Sequence, residues 1–214
     1  PKAFFGKKEV NMKAFQKFIC FFLGFTLLCV SFPASAAPAE TASADSMKGV
    51  WVSTVFNLDY PSKQTTNAAS LKADAIRLLD DAQSLGFNAV FLQVRPTGDA
   101  FYRSDIFPWS NYLTGTQGQA PSDNFDPLAF WITEAHKRGI KLHAWLNPYR
   151  ITRSKVSGVE ALSPDNPARI NPSLAVHHTD GNLYYDPGLP EVRQLVIDGA
   201  CEIVRKYDID GIHL

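Results

Sequence analysis

Asn88-Ala-Val-Phe-Leu-Gln-Val-Arg95 and Ile140-Lys-Leu-His-Ala-Trp-Leu-Asn147 are short runs of apolar, β-branched and aromatic residues, of strand length, and each follows a segment of helical period. Before the first, Leu71, Ala75, Leu78, Leu79, Ala82 and Leu85 repeat on one helical face across 70–85, and Gly86 stops the run. Before the second, Asp126-Pro127 reads as an N-cap with proline at the first helical position, opening a helix to Arg138 that Gly139 ends. Residues 47–56 (MKGVWVSTVF) supply an earlier strand. Pro190–Tyr207 is a third helix with Val192, Leu195, Val196, Gly199, Ala200, Ile203 and Val204 in one stripe, and a fourth strand starts near Asp210.

Alternation of strand and helix implies parallel pairing with right-handed crossovers, hence an α/β sheet or barrel. Asn57-Leu58-Asp59-Tyr60-Pro61 follows the first strand where a nucleotide-binding sheet carries a glycine-rich phosphate loop, which disfavours that architecture. The expected fold is a (β/α)8 TIM-type barrel, truncated after about strand four because the chain stops at Leu214 inside a strand pattern. A half-barrel would leave one sheet edge and one apolar face uncovered.

Ahead of this domain the composition changes. Lys13 and Lys17 precede an apolar run from Phe18 to Val30, and Ala34-Ser35-Ala36 supplies small residues of the kind a signal peptidase reads. The expected organisation is an upstream extension at 1–11, a signal peptide at 12–36, a linker at 37–46 and the barrel domain at 47–214. The apolar run is shorter than the roughly 20 residues a membrane span requires, so no stable span is expected after cleavage, and the protein is expected to be exported.

Removing 1–36 takes away Lys2, Lys7, Lys8, Lys13, Lys17 and Glu9, leaving 16 basic against 20 acidic residues. A weakly acidic surface gives no reason to expect nucleic acid or anionic lipid as partner. Cys201 is then the single cysteine, too few for a disulfide or a thiolate zinc site, and reads as a small buried hydrophobe.

Residues two apart along a strand share a face. Gln93 with Arg95, then His143 with Trp145 and Asn147, then His213, place polar groups on one side of successive strands near their C-terminal ends, the catalytic mouth of a barrel. The loops at 96–125 and 148–189 are long and carry Phe101, Tyr102, Phe107, Trp109, Tyr112, Tyr149, Tyr184 and Tyr185, about half of them assigned to packing. Aromatic rings beside Asn, Arg, His and Asp suit a sugar, whose C–H face stacks on Trp or Tyr while its hydroxyl rim takes hydrogen bonds.

Lys48-Gly-Val-Trp-Val-Ser-Thr-Val-Phe-Asn-Leu-Asp-Tyr-Pro61, Gly86-Phe-Asn-Ala-Val-Phe-Leu-Gln-Val-Arg-Pro96, Gly139-Ile-Lys-Leu-His-Ala-Trp-Leu-Asn-Pro-Tyr-Arg150, Asp186-Pro-Gly-Leu-Pro-Glu-Val-Arg193 and Tyr207-Asp-Ile-Asp-Gly-Ile-His213 stand in this order, and together they resemble the glycosyl-hydrolase-like 10 family of exported bacterial proteins. The resemblance implies a barrel glycosidase, with some members acting on cell-wall glycan stripped of its stem peptides, and no cofactor. Arg95, His143, Trp145, Asn147, Tyr149 and Arg150 are the expected wall of a glycan groove, with Gln93, His213 and Asp186 in support. Leu214 stands where the family pattern usually has Phe.

Glycoside hydrolysis needs two carboxyl groups ~5 to 9.5 Å apart. The strands end in Asn57, Arg95 and Asn147, so the catalytic pair is expected beyond Leu214. Asp59, Asp99, Asp105 and Asp186 are then loop acids for binding or support. Two alternatives stay open: a catalytically inactive glycan-binding module, and a metal-dependent hydrolase or deacetylase using His143, His213 and an aspartate. The adjacent His177 and His178 would point to opposite sides of an extended segment, which suits solvation better than coordination.

Overall fold

A computed structural model describes residues 46–154 and 157–214. The expected extension and signal peptide, and nearly all of the expected linker, lie outside the described residues. The fold is α/β. Four parallel strands, β1 (Gly49–Val52), β2 (Ala89–Arg95), β3 (Lys141–Leu146) and β6 (Gly211–His213), lie side by side in chain order. A separate antiparallel pair, β4 (Ala175–His177) and β5 (Leu183–Tyr185), sits in the loop after β3. Among the described residues no helix is long and apolar enough to cross a membrane.

The helices form where their local chemistry starts and stops them. In α1 (Ala68–Ser84) the Asn67 side chain caps Ser70 N at 3.0 Å. In α3 (Pro127–Lys137) Asp126 Oδ1 accepts from Ala129 N at 3.2 Å, as the sequence suggests. Asp126 Oδ2 also accepts from Tyr207 Oη at 2.6 Å, tying this cap to the end of α5 (Pro190–Lys206). Two single-turn helices, α2 (Asn111–Thr114) and α4 (Pro167–Ile170), punctuate the long loops.

The core lies between the sheet and these helices. Val90, Leu92, Val94, Leu142 and Ala144 from one sheet face meet Leu71, Ala75 and Leu79 of α1, Leu128, Trp131 and Ile132 of α3, and Ile203 of α5. Each fully buried Leu or Ile contributes about 1.5–3 kcal/mol of transfer free energy, so this layer carries the stability of the unit.

One expectation is corrected. The first strand ends at Val52, not Phe56, because the next backbone donors are taken elsewhere: Ser53 N by Asp59 Oδ2 at 2.7 Å, and Thr54 N and Val55 N by Gln93 Oε1, each at 2.9 Å. The chain then turns through a 3₁₀ segment at Val55–Asn57. The long loop after β3 holds the β4–β5 pair. Cys201 is half-buried and free.

Candidate functional site

The register of the sheet aligns Trp51, Phe91, His143 and Gly211 in one row and Gln93, Trp145 and His213 in the next. Register partners in a parallel sheet project to the same side, so these residues share the face opposite the aliphatic core. Trp51 stacks on Phe91 (centroids 4.6 Å apart, 22° between planes) and meets Trp145 edge-on at 5.0 Å. Phe91 contacts His143 at 4.9 Å and His213 at 4.5 Å.

Glycines make room for the rings. A Cβ on Gly49 would stand 2.2 Å from Phe91 Cε2, and one on Gly211 would stand 2.3 Å from His143 Nδ1. The outcome is a continuous aromatic surface of which Trp51 is 51% exposed.

Polar groups stand among the rings. His213 Nε2 lies 3.1 Å from His143 Nδ1, so one imidazole donates and the other accepts. Burial, followed by the neighbouring His213, lowers the His143 pKa and favours its neutral form. His143 Nε2 and Asn147 Nδ2 are buried without a hydrogen-bond partner. Gln93 is buried and committed: its Oε1 accepts from Ser53 Oγ as well as from Thr54 N and Val55 N, which fixes the turn leaving β1. Gln93 therefore supports the site through the loop that it anchors.

Arg95 is not brought to this face. The β2–β3 register shifts between Gln93 and Arg95, so the alternation that runs from Phe91 to Gln93 does not extend to Arg95. The Arg95 guanidinium lies 3.5 Å from the Phe107 ring centroid, and a Cβ on Gly199 of α5 would stand 2.7 Å from Nη1. Arg95 is buried, its pKa lowered by that burial against the opposing pull of Tyr102, Tyr185, Asp99 and Glu202. It joins the β2 loop to α5 and does not line the aromatic surface.

The remaining predicted residues occupy the loops after β3. Tyr149 is 38% exposed and its carbonyl accepts from Tyr185 N. Arg150 pairs with Tyr184 in an isolated bridge, and its Nε is buried without a partner. Asp186 Oδ1 accepts from Gly188 N at 2.8 Å in the turn that opens α5. Of the loop aromatics, Phe101, Tyr102, Phe107, Tyr112 and Tyr185 are buried, more than the half assigned to packing.

Among the described residues no three His, Cys, Asp or Glu side chains are placed to hold a metal ion. Trp51 and Phe91, the centre of the stack, were not singled out from the sequence. The signal was present, because counting back by two from Gln93 reaches Phe91.

Residues 46–214 match the family described as glycosyl hydrolase-like 10. The chain is 45% identical over 205 residues to the glycosyl hydrolase YngK of Bacillus subtilis, covering 95% of this chain and 39% of that protein. It is 37% identical over 195 residues to the glycosyl hydrolase DigH of Escherichia coli, covering 84% of this chain and 44% of that protein. The chain thus spans less than half the length of these curated relatives.

Among solved structures, α-L-fucosidase isoenzyme 2 of Paenibacillus thiaminolyticus aligns with a TM-score of 0.50 at 16% identity. The alignment covers 77% of this chain and 22% of the fucosidase, a likeness of fold. The strand order, the aromatic sheet face and the family match agree, and the chain belongs to the glycosyl hydrolase-like 10 family.

Proposed function

We propose that the protein is an exported glycoside hydrolase that acts on the glycan strands of the bacterial cell wall, and that its four parallel strands are the first half of a (β/α)8 barrel. The observation that carries this reading is the row of rings formed by Trp51, Phe91, Trp145 and His213 on the sheet face opposite the core, beside the unpartnered His143 Nε2 and Asn147 Nδ2. A pyranose presents an apolar C–H face and a rim of hydroxyls, which are the two kinds of contact this surface offers. Both quoted relatives carry the name glycosyl hydrolase, in keeping with this chemistry.

In this reading His143, Trp145, Asn147 and His213 touch the glycan, Tyr149 and Arg150 extend the groove along the next loop, and Gln93 and Asp186 hold the surrounding loops. The acid and the nucleophile or base come from the part of the relatives that this chain does not span. Asp59, Asp105 and Asp186 are engaged in turns or ion pairs, with Ser53 N, Lys206 and Gly188 N respectively.

That engagement gives a second reading some force: a wall-associated module that holds glycan without cleaving it. The test is incubation of the intact protein with purified wall glycan, with and without stem peptides. New reducing ends support the hydrolase, co-sedimentation without new ends supports the binding module, and neither result removes both.

A further inference from the structure

A second concave site lies between the loops that follow β2 and β3. It is a cavity of about 300 Å³ lined by Asp99, Asn111, Tyr112, Gln117, Thr152 and Arg153, among others. That volume is at the lower end of small-molecule sites and suits one sugar ring. Asp99 is fully buried at this cavity: Oδ1 accepts from Thr97 Oγ1 at 2.7 Å and Oδ2 from Gln117 Nε2 at 3.0 Å. Ser110 and the Asn111 backbone also bond this carboxyl, so its acceptor sites are filled and it fixes the cavity wall.

The rim carries an aromatic ring held against its backbone preference. Phe56 has φ 57° and Asn57 φ 52°, a left-handed pair that costs a bulky side chain free energy. Asn57 Nδ2 holds the turn by donating to Tyr112 O at 2.7 Å and to Pro61 O at 3.2 Å. Phe56 is thereby presented 52% exposed, edge-on to Tyr112 at 5.7 Å, with the Arg153 guanidinium 5.5 Å from its ring centroid.

Two arginines here lack carboxylate partners. Among the described residues no carboxylate lies within 4.0 Å of the Arg150 or Arg153 guanidinium, while Arg138 has both Asp80 and Glu134. Burial first and then Asp99 raise the Tyr112 pKa, and Arg153 and Arg150 oppose that rise, which places their field at the cavity wall. Unpaired guanidiniums at a sugar-sized cavity favour a planar anion, which they bind through two parallel N–H donors.

We propose that this cavity is a subsite for a carboxylate-bearing sugar, with Arg153, supported by Arg150, as the carboxylate partner, Phe56 as the stacking ring and Asp99 as the buried group that holds the wall in place. The inference rests on the glycan reading and deepens it: the site distinguishes the acidic from the neutral sugar of a mixed strand.

The test is calorimetric titration of the intact protein with two oligosaccharides of equal length. One is built only of N-acetylglucosamine, and the other carries a 3-O-lactyl carboxylate on every second ring. The acidic oligomer should bind about tenfold more tightly. Arg153→Gln should erase that preference while leaving neutral binding unchanged, and Phe56→Ala should weaken both. Arg153 is exposed, so an unaltered melting curve should accompany its loss of preference. Equal affinities in the wild type, or a preference that survives Arg153→Gln, overturn the subsite and leave the glycan reading standing. Failure of both oligomers to bind overturns the two together.

Discussion

His143 Nδ1 and His213 Nε2 stand 3.1 Å apart across the β3–β6 pair, a contact that requires at least one neutral ring. The His143 pKa is lowered below its ordinary 6.5, by burial first, then by His213, against the pull of Asp210. The unfolded chain therefore binds more protons than the folded one just below pH 6.5, and this contribution to stability is lost as pH falls through that range. Nuclear magnetic resonance titration of the His143 ring should give a midpoint under 6.5 and a melting temperature that drops on acidification. A midpoint at or above 6.5 contradicts the packing described for it.

The close approach of Gly211 to His143 makes a second prediction. Gly211→Ala drives a methyl group into the imidazole, and since β6 is tightly paired the ring must leave its place in the aromatic row. The expected cost is about 1–3 kcal/mol in urea denaturation, typical of overpacking, together with weakened glycan binding. A variant as stable as the wild type, with binding intact, would show that the ring has room to spare.

Arg95 separates stability from binding. Buried against Phe107 and Gly199 with Nε and Nη1 unpartnered, it is a charge whose removal from water is poorly compensated. Arg95→Met keeps the length of the side chain without the charge and should be neutral or stabilising, and glycan affinity should stay within twofold. Gly199→Ala, which crowds both Arg95 and Phe107, should destabilise by about 1–3 kcal/mol. A large loss of affinity in Arg95→Met with an unchanged fold would return Arg95 to the site.

Glu202 fastens the loop after β2 to α5 by accepting from Ser104 Oγ at 2.5 Å, Asp105 N at 2.6 Å and Lys206 Nζ at 2.8 Å. Glu202→Ala leaves Ser104 Oγ and Asp105 N without their acceptor, while Lys206 keeps Asp105, and should lower stability by about 1–3 kcal/mol. Limited proteolysis should show the 96–125 loop cut sooner than in the wild type. An unchanged digestion rate would mean that the loop is held by its aromatic packing alone.

The sheet and its three long helices are legible in the sequence because each element is long, strongly periodic and punctuated by Gly86, Asp126-Pro127, Gly139 and Pro190. Strand-end positions such as His143, Trp145 and His213 follow from counting by two. Arg95 does not, because a register shift between neighbouring strands breaks the count and leaves no mark in either sequence. The end of β1 was hidden for a related reason: Gln93, distant in sequence, takes the donors that would extend the strand. The β4–β5 pair was readable in part, since Asp180-Gly181 between extended residues is a hairpin signal. The cavity around Asp99 was not, as it is assembled from two loops that lie far apart in sequence.

Co-sedimentation of the intact protein with purified wall glycan, comparing wild type with Trp145→Ala and Asn147→Ala, tests the central claim most directly. The aromatic sheet face as the glycan surface predicts at least a tenfold loss of binding in each variant with an unchanged circular dichroism spectrum. Undiminished binding in both variants would contradict it.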